Sequence, residues 1–65
     1  MRIIVNGEAQ TVAATTLEAL LLELGYQGAI VATALNRDFV PCEARADTPL
    51  AEGDAVEIIA PMQGG

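Results

Sequence analysis

Few residues of this chain could do chemistry, and the clearest candidates stand at its end: Pro61-Met62-Gln63-Gly64-Gly65. Gly64 and Gly65 carry no side chains, so their peptide units make a thin, pliable wire. Five residues reach about 17 Å at full extension, at roughly 3.5 Å each. The tip is the α-carboxylate of Gly65. Such a shape suits delivery of a carboxylate down a narrow tunnel into another protein. Glycine is also common in frayed ends, and from the tail residues alone both readings stand.

Cys42 is the other reactive group, and the only cysteine. It could be a reactive thiol or itself receive sulfur. The chain has no His and no Lys, so only Arg45 is near enough in sequence to activate the thiol. The favoured reading is an incidental small residue. Without His, and with one Cys, zinc sites, His-based catalysis and a cysteine-ligated iron–sulfur cluster within the chain are excluded. No glycine-rich loop has phosphate-cradling spacing. The acidic residues lie singly in turns and along the helix, which reads as solvated charge rather than an acid/base couple. No catalytic residue and no metal ligand is assigned.

The elements that must position the tail follow from pattern. At 65 residues the chain is one small domain near the lower limit for folding without staples. Arg2-Ile3-Ile4-Val5 reads as a strand, Asn6-Gly7 as a type I′ turn, and Glu8 to Val12 as the returning strand. Thr15 and Glu18 have capping-box spacing. Leu17, Leu20, Leu21 and Leu24 form one apolar helical stripe, closed by Gly25. In so short a chain that stripe is core rather than a docking face. Tyr26-Gln27-Gly28 reads as a loop. Ile30 to Leu35 reads as a third strand, apolar on both faces and therefore interior. Asn36-Arg37-Asp38 is a turn and Phe39-Val40 a short strand ended by Pro41. Glu43 to Thr48 reads as irregular, with Leu50 plugging the core. Glu52-Gly53-Asp54 is a turn, and Ala55 to Ala60 the last strand, stopped by Pro61 because proline cannot donate to a ladder. The expected division is a folded domain over 1–60 and a flexible tail over 61–65.

Net charge is −6, with Arg2, Arg37 and Arg45 the only cations. Without a basic patch or aromatic residues to stack on bases, nucleic-acid binding is excluded. No run is long enough to span a membrane, and Met1-Arg2-Ile3 leads straight into strand-like sequence, so the expectation is a cytoplasmic protein. Without lysine the chain offers no side-chain amine on which copies of itself could be joined.

The whole chain resembles the ubiquitin-like β-grasp sulfur carriers, and within them the thiamine-biosynthesis branch. The likeness rests on Ile4-Val5-Asn6-Gly7-Glu8, Thr16-Leu17 with Leu20-Leu21, Ala34-Leu35-Asn36 and Val40-Pro41. Its most specific stretch is Leu50-Ala51-Glu52-Gly53-Asp54-Ala55-Val56-Glu57-Ile58, followed by Ala60-Pro61-Met62-Gln63-Gly64-Gly65. Family members often carry a basic residue after the Val-Pro pair, where this chain has Cys42. The resemblance implies an α+β fold, a mixed sheet of four to five strands on one main helix, with first and last strands parallel and central.

It further implies that the Gly65 carboxylate is adenylated and converted to a thiocarboxylate. Met62, Gln63 and Gly64 would enter the partner, Met62 being as able to pack back on the sheet. The implied partners are a ThiF-like adenylating enzyme using ATP and Mg²⁺, a persulfide donor of the cysteine desulfurase type, and thiazole synthase (ThiG-like). The chain itself would bind no cofactor and be a co-substrate rather than an enzyme. The small subunit of molybdopterin synthase, other thiocarboxylate carriers, a ubiquitin-like modifier and a plain interaction module of the same fold are the alternatives.

Overall fold

Asn6 and Gly7, with φ of 50° and 86°, turn the chain back on itself. Both take the left-handed region that a type I′ turn demands, which asparagine and glycine tolerate best. The turn joins β1 (Arg2–Val5) to β2 (Glu8–Thr11), antiparallel from Arg2↔Thr11 to Val5↔Glu8. The computed structural model describes residues 1–26 and 29–60; the tail expected over 61–65, and Gln27 and Gly28 of the expected loop, lie outside them.

Helix α1 (Leu17–Glu23) begins one residue later than the capping-box spacing predicts. The N-cap is Thr16, extended at φ −129° and ψ 161°, and its Oγ1 accepts from the Ala19 amide at 3.1 Å. Thr15 is exposed, and its carbonyl is engaged elsewhere, accepting from the Leu50 amide at 2.9 Å. Glu18 falls in the first helical turn, where a negative charge favours the helix dipole. At the other end Leu24 is the C-cap and Gly25 takes φ 90°. The Tyr26 amide donates to the Leu21 carbonyl at 2.8 Å and the Gly25 amide to Leu22 at 3.2 Å. Together these make a complete Schellman closure.

Strands β3 (Ala32–Leu35) and β4 (Asp38–Val40) form a second hairpin, turned by Asn36 and Arg37 at φ 50° and 75°. The third strand is shorter than its apolar run. Ile30 is 82% exposed and Val31 half-buried, and neither joins the ladder. Position β3 is interior, but only Thr33 of it is fully covered, so its apolar composition overstates its burial. Cys42–Asp47, expected to be irregular, is a 3₁₀ helix following Pro41. Pro41's carbonyl accepts from the Ala44 amide at 2.9 Å, the short-range bonding of a 3₁₀ turn. Leu50 plugs the core, 8% exposed. Gly53, at φ 87°, turns the chain into β5 (Ala55–Ile59).

The sheet order is β2-β1-β5-β3-β4, with β5 parallel to β1 and antiparallel to β3. Its inner face contributes Ile3, Val5, Val56 and Ile58, and the helix closes over them with Leu17, Leu20 and Leu21. Ile3, Leu17, Leu20 and Val56 are at most 1% exposed. Burying each such side chain contributes roughly 1.5–3 kcal/mol. Leu24 is only partly buried at the edge of this cluster. Among the described residues, this is one α-helix held against one mixed sheet of five strands.

The position of the cap is directly testable. Thr16→Ala should cost about 1 kcal/mol in urea unfolding, whereas Thr15→Ala should leave the midpoint almost unmoved. The reverse ranking would restore Thr15 as the cap.

Candidate functional site

The Gly65 carboxylate is reached through β5, the strand at the centre of the sheet, paired with β1 on one edge and β3 on the other. The β3 ladder continues to the end of the strand, where Ile59 lies opposite Ala32. Met62, Gln63, Gly64 and Gly65 lie outside the described residues. What can be built from the residues upward is therefore the body that presents them.

Side chains alternate along a strand. With Ile3, Val5, Val56, Ile58, Thr33 and Val40 turned inward, Ile4, Ala34, Phe39 and Ile59 face outward. Register groups them: Ile4 stands opposite Ala55, Ala34 opposite both Phe39 and Glu57, and Ile59 opposite Ala32. Phe39 is 69% exposed and Ile59 62%. The outer face of the sheet, next to the root of the tail, is thus apolar, with Glu57 as an exposed carboxylate within it.

Cys42 lies on the other side of the sheet. It is an exposed free thiol at the start of the 3₁₀ helix. With Arg45, Tyr26, Glu18 and Leu21 it lines a surface cavity of about 430 Å³ beside the helix. Sequence reading missed what Arg45 does. Its guanidinium is buried, with Nε donating to Thr33 Oγ1 at 3.0 Å and Nη2 to the Val31 carbonyl at 2.7 Å. Thr33 Oγ1 in turn donates to the Val40 carbonyl at 2.8 Å. The network ties the 3₁₀ helix to β3 and β4. One polar residue, Thr33, within the apolar run Ala29–Leu35 was the available signal.

Several carboxylates also have specific partners rather than only solvent. Glu23 accepts from the amides of Ala13 and Ala14, at 2.9 Å to the latter. Glu52 accepts from the Arg2 amide at 3.1 Å. Asp54 accepts from the Ala51 amide at 2.8 Å and from Asn36 Nδ2 at 3.1 Å. These acids satisfy backbone donors where helix and sheet supply none, so solvated charge describes only part of them. Among the described residues, no group of three His, Cys, Asp or Glu could hold a metal ion. None of their helices is long and apolar enough to cross a membrane.

A five-stranded mixed sheet with parallel β1 and β5, wrapped on one helix and ending in its central strand, defines a ubiquitin-like β-grasp domain. The crystal structure of the thiamine biosynthesis protein (ThiS) from Geobacter metallireducens superposes with a TM-score of 0.83 at 35% identity, covering all of both chains. The sulfur carrier protein ThiS of Thermus thermophilus is 43% identical over 61 residues, 92% of this chain and 94% of that one. A thiazole synthase of Paramagnetospirillum magneticum matches over the full chain at 39% identity, although the chain spans only 20% of that protein's length. The model of the ThiS family matches residues 3–65, and the chain belongs to that family.

The buried network makes its own prediction. Thr33→Val preserves shape but leaves Arg45 Nε without its partner and removes the side-chain bond to the Val40 carbonyl. It should lower stability by about 1–3 kcal/mol, read as a fall in the urea midpoint at unchanged slope. An unmoved midpoint would show that water replaces Thr33 without cost.

Proposed function

We propose that this protein is the sulfur carrier of thiazole formation in thiamine biosynthesis, with the Gly65 carboxylate as its working group. The observation that carries the reading is the match of the ThiS family through to Gly65, on a chain whose central strand leads into Gly64-Gly65. A carboxylate is ionised at neutral pH, with a reference pKa of about 3.5, and its oxygens are poor leaving groups. Sulfur can replace one only after activation.

The proposed sequence starts with attack of a Gly65 carboxylate oxygen on the α-phosphorus of ATP in a ThiF-like adenylating enzyme. An O–P bond forms and pyrophosphate leaves, with Mg²⁺ in that enzyme offsetting the phosphate charge. A persulfide sulfur from a cysteine desulfurase-type donor then attacks the acyl carbon, and AMP departs with the electron pair. A two-electron thiol reductant cleaves the resulting acyl disulfide and leaves the thiocarboxylate. Thiazole synthase (ThiG-like) is the proposed acceptor. The thiazole synthase relative with a stretch resembling this whole chain supports that partner, because carrier and synthase sequence there share one polypeptide.

In this scheme the protein is a co-substrate. A Cβ at position 64 or 65 would widen the wire beside the reacting carbon. Met62, Gln63 and Gly64 would enter the partner, and the apolar face of Ile4, Phe39 and Ile59 would dock on the activating enzyme. Glu57 on that face calls for a basic residue opposite. The protein is expected to work in the cytoplasm.

Intact mass after incubation with ATP, Mg²⁺, activating enzyme and a sulfide source tests the reading. The expected gain is one oxygen replaced by sulfur, abolished on deletion of Gly65. Gly64→Val should fold normally yet fail to be adenylated, and its normal turnover would sink the tunnel argument. An isopeptide-linked adduct in place of the mass gain would favour a protein modifier.

A further inference from the structure

Beyond the tail itself, we propose that Asn6 is a positioning residue that fixes the root of the tail. This rests on the sulfur-carrier reading above. Strand β1 ends at Val5 and the chain turns away at Asn6, whereas β5 runs on to Ile59. The parallel ladder starts with backbone groups: the Ile4 amide donates to the Asp54 carbonyl at 2.8 Å and the Asn6 amide to Val56 at 2.9 Å. The next rung of a parallel pair would need a carbonyl from residue 6 and an amide from a further residue of β1. At φ 50° Asn6 has left the strand. Its side chain supplies both groups instead. Oδ1 accepts from the Ile58 amide at 2.8 Å, and Nδ2 donates to the Ile58 carbonyl at 3.1 Å.

One primary amide thus stands in for two missing backbone groups. It holds β5 from the β1 side at Ile58, while Ala32 holds Ile59 from the β3 side. Without it, the last residues before the tail would be bonded along one edge only. The distance over which the tail must reach, and the orientation of Ile59 on the docking face, both depend on that grip. Hairpin geometry alone does not require it, because a type I′ turn needs only positive φ at this position.

Asn36 offers an internal control. It occupies the corresponding turn position in the second hairpin, also at φ 50°. Its Oδ1 accepts from the Ala55 amide at 2.9 Å, and its own amide donates to the Ala55 carbonyl at 2.7 Å. It therefore grips the opposite end of the same strand, away from the tail.

The experiment compares Asn6→Gly with Asn36→Gly. Glycine keeps each turn and deletes only the side-chain bonds. Amide exchange at Ile58 and Ile59 should accelerate by about tenfold in Asn6→Gly, the scale of losing ordinary hydrogen bonds. In Asn36→Gly the gain in exchange should be confined to Ala55 and its neighbours. With the activating enzyme, Asn6→Gly should raise the KM for the carrier by roughly tenfold, the scale of reordering one residue of backbone on docking, at unchanged kcat. Asn36→Gly should leave KM unchanged even where it lowers stability equally. Asn6→Asp keeps the acceptor for Ile58 and loses the donor, so it should fall between wild type and glycine. Wild-type KM and wild-type exchange in Asn6→Gly, or an equal KM rise in Asn36→Gly, would overturn the proposal. A wild type that is never adenylated would instead defeat the sulfur-carrier reading, and the exchange rates at Ile58 would still decide whether Asn6 holds the root.

Discussion

Everything in this fold depends on how β5 is held. It is the last strand in the sequence and the middle strand in space, with β1 parallel on one side and β3 antiparallel on the other. A parallel pair cannot be joined by a tight turn. The helix, the second hairpin and the 3₁₀ segment together form the connection between β1 and β5. Removing β5 would separate the two hairpins and expose the leucines that lie beneath Val56 and Ile58. In a chain this short no second core could replace that contact. The strand that leads to the proposed reactive terminus is therefore also one that is bonded along both of its edges.

Much of this was legible in the sequence because the signals are local and strong. Asn6-Gly7 specified its turn through the conformations those residues tolerate, and the Leu17–Leu24 stripe specified a helix with one face inward. The parallel pairing of β1 and β5 was not readable from pattern. It came from resemblance, since nothing in two separated apolar runs states which lies beside which. Each misreading has its own physical cause. Thr15 and Thr16 are equivalent by type, and the choice between them was made by the bond from the Leu50 amide to the Thr15 carbonyl. Ile30 fell outside β3 because ladder partners, not apolar character, end a strand. The Cys42–Asp47 helix is polar and short, and such a segment has no period that distinguishes it from a loop. The proposed site shows in the sequence only as composition at the tail, and the apolar face beside β5 only once register places Phe39, Ala34, Glu57 and Ile59 together.

The charges show a similar split between type and place. Nine acidic residues and three arginines suggest a solvated shell. Yet Glu23, Glu52 and Asp54 are spent on backbone amides that no helix or strand satisfies. A small domain has many such ends relative to its core, and each unpaired donor costs free energy comparable to a lost hydrogen bond. Arg45 does the converse work for carbonyl and hydroxyl oxygens beneath the 3₁₀ helix. With so few cations, committing one to the interior leaves the exposed surface more acidic still. That narrows the surfaces on which the protein can dock to apolar or basic ones.

The two faces of β5 then explain how one strand can serve both stability and the proposed recognition. Because its side chains alternate, Val56 and Ile58 can be buried while Glu57 and Ile59 stay available, without any residue doing both. A one-residue slip of register would invert this arrangement, hiding Glu57 and exposing the core. The asparagines at positions 6 and 36 guard against that slip from opposite edges, each pairing with a backbone that its own strand has ceased to match. Both are exposed by area, so burial would rank them as unimportant. Their value lies in which backbone atoms they replace, and at Ile58 those atoms lie at the threshold of the segment on which the proposed chemistry depends.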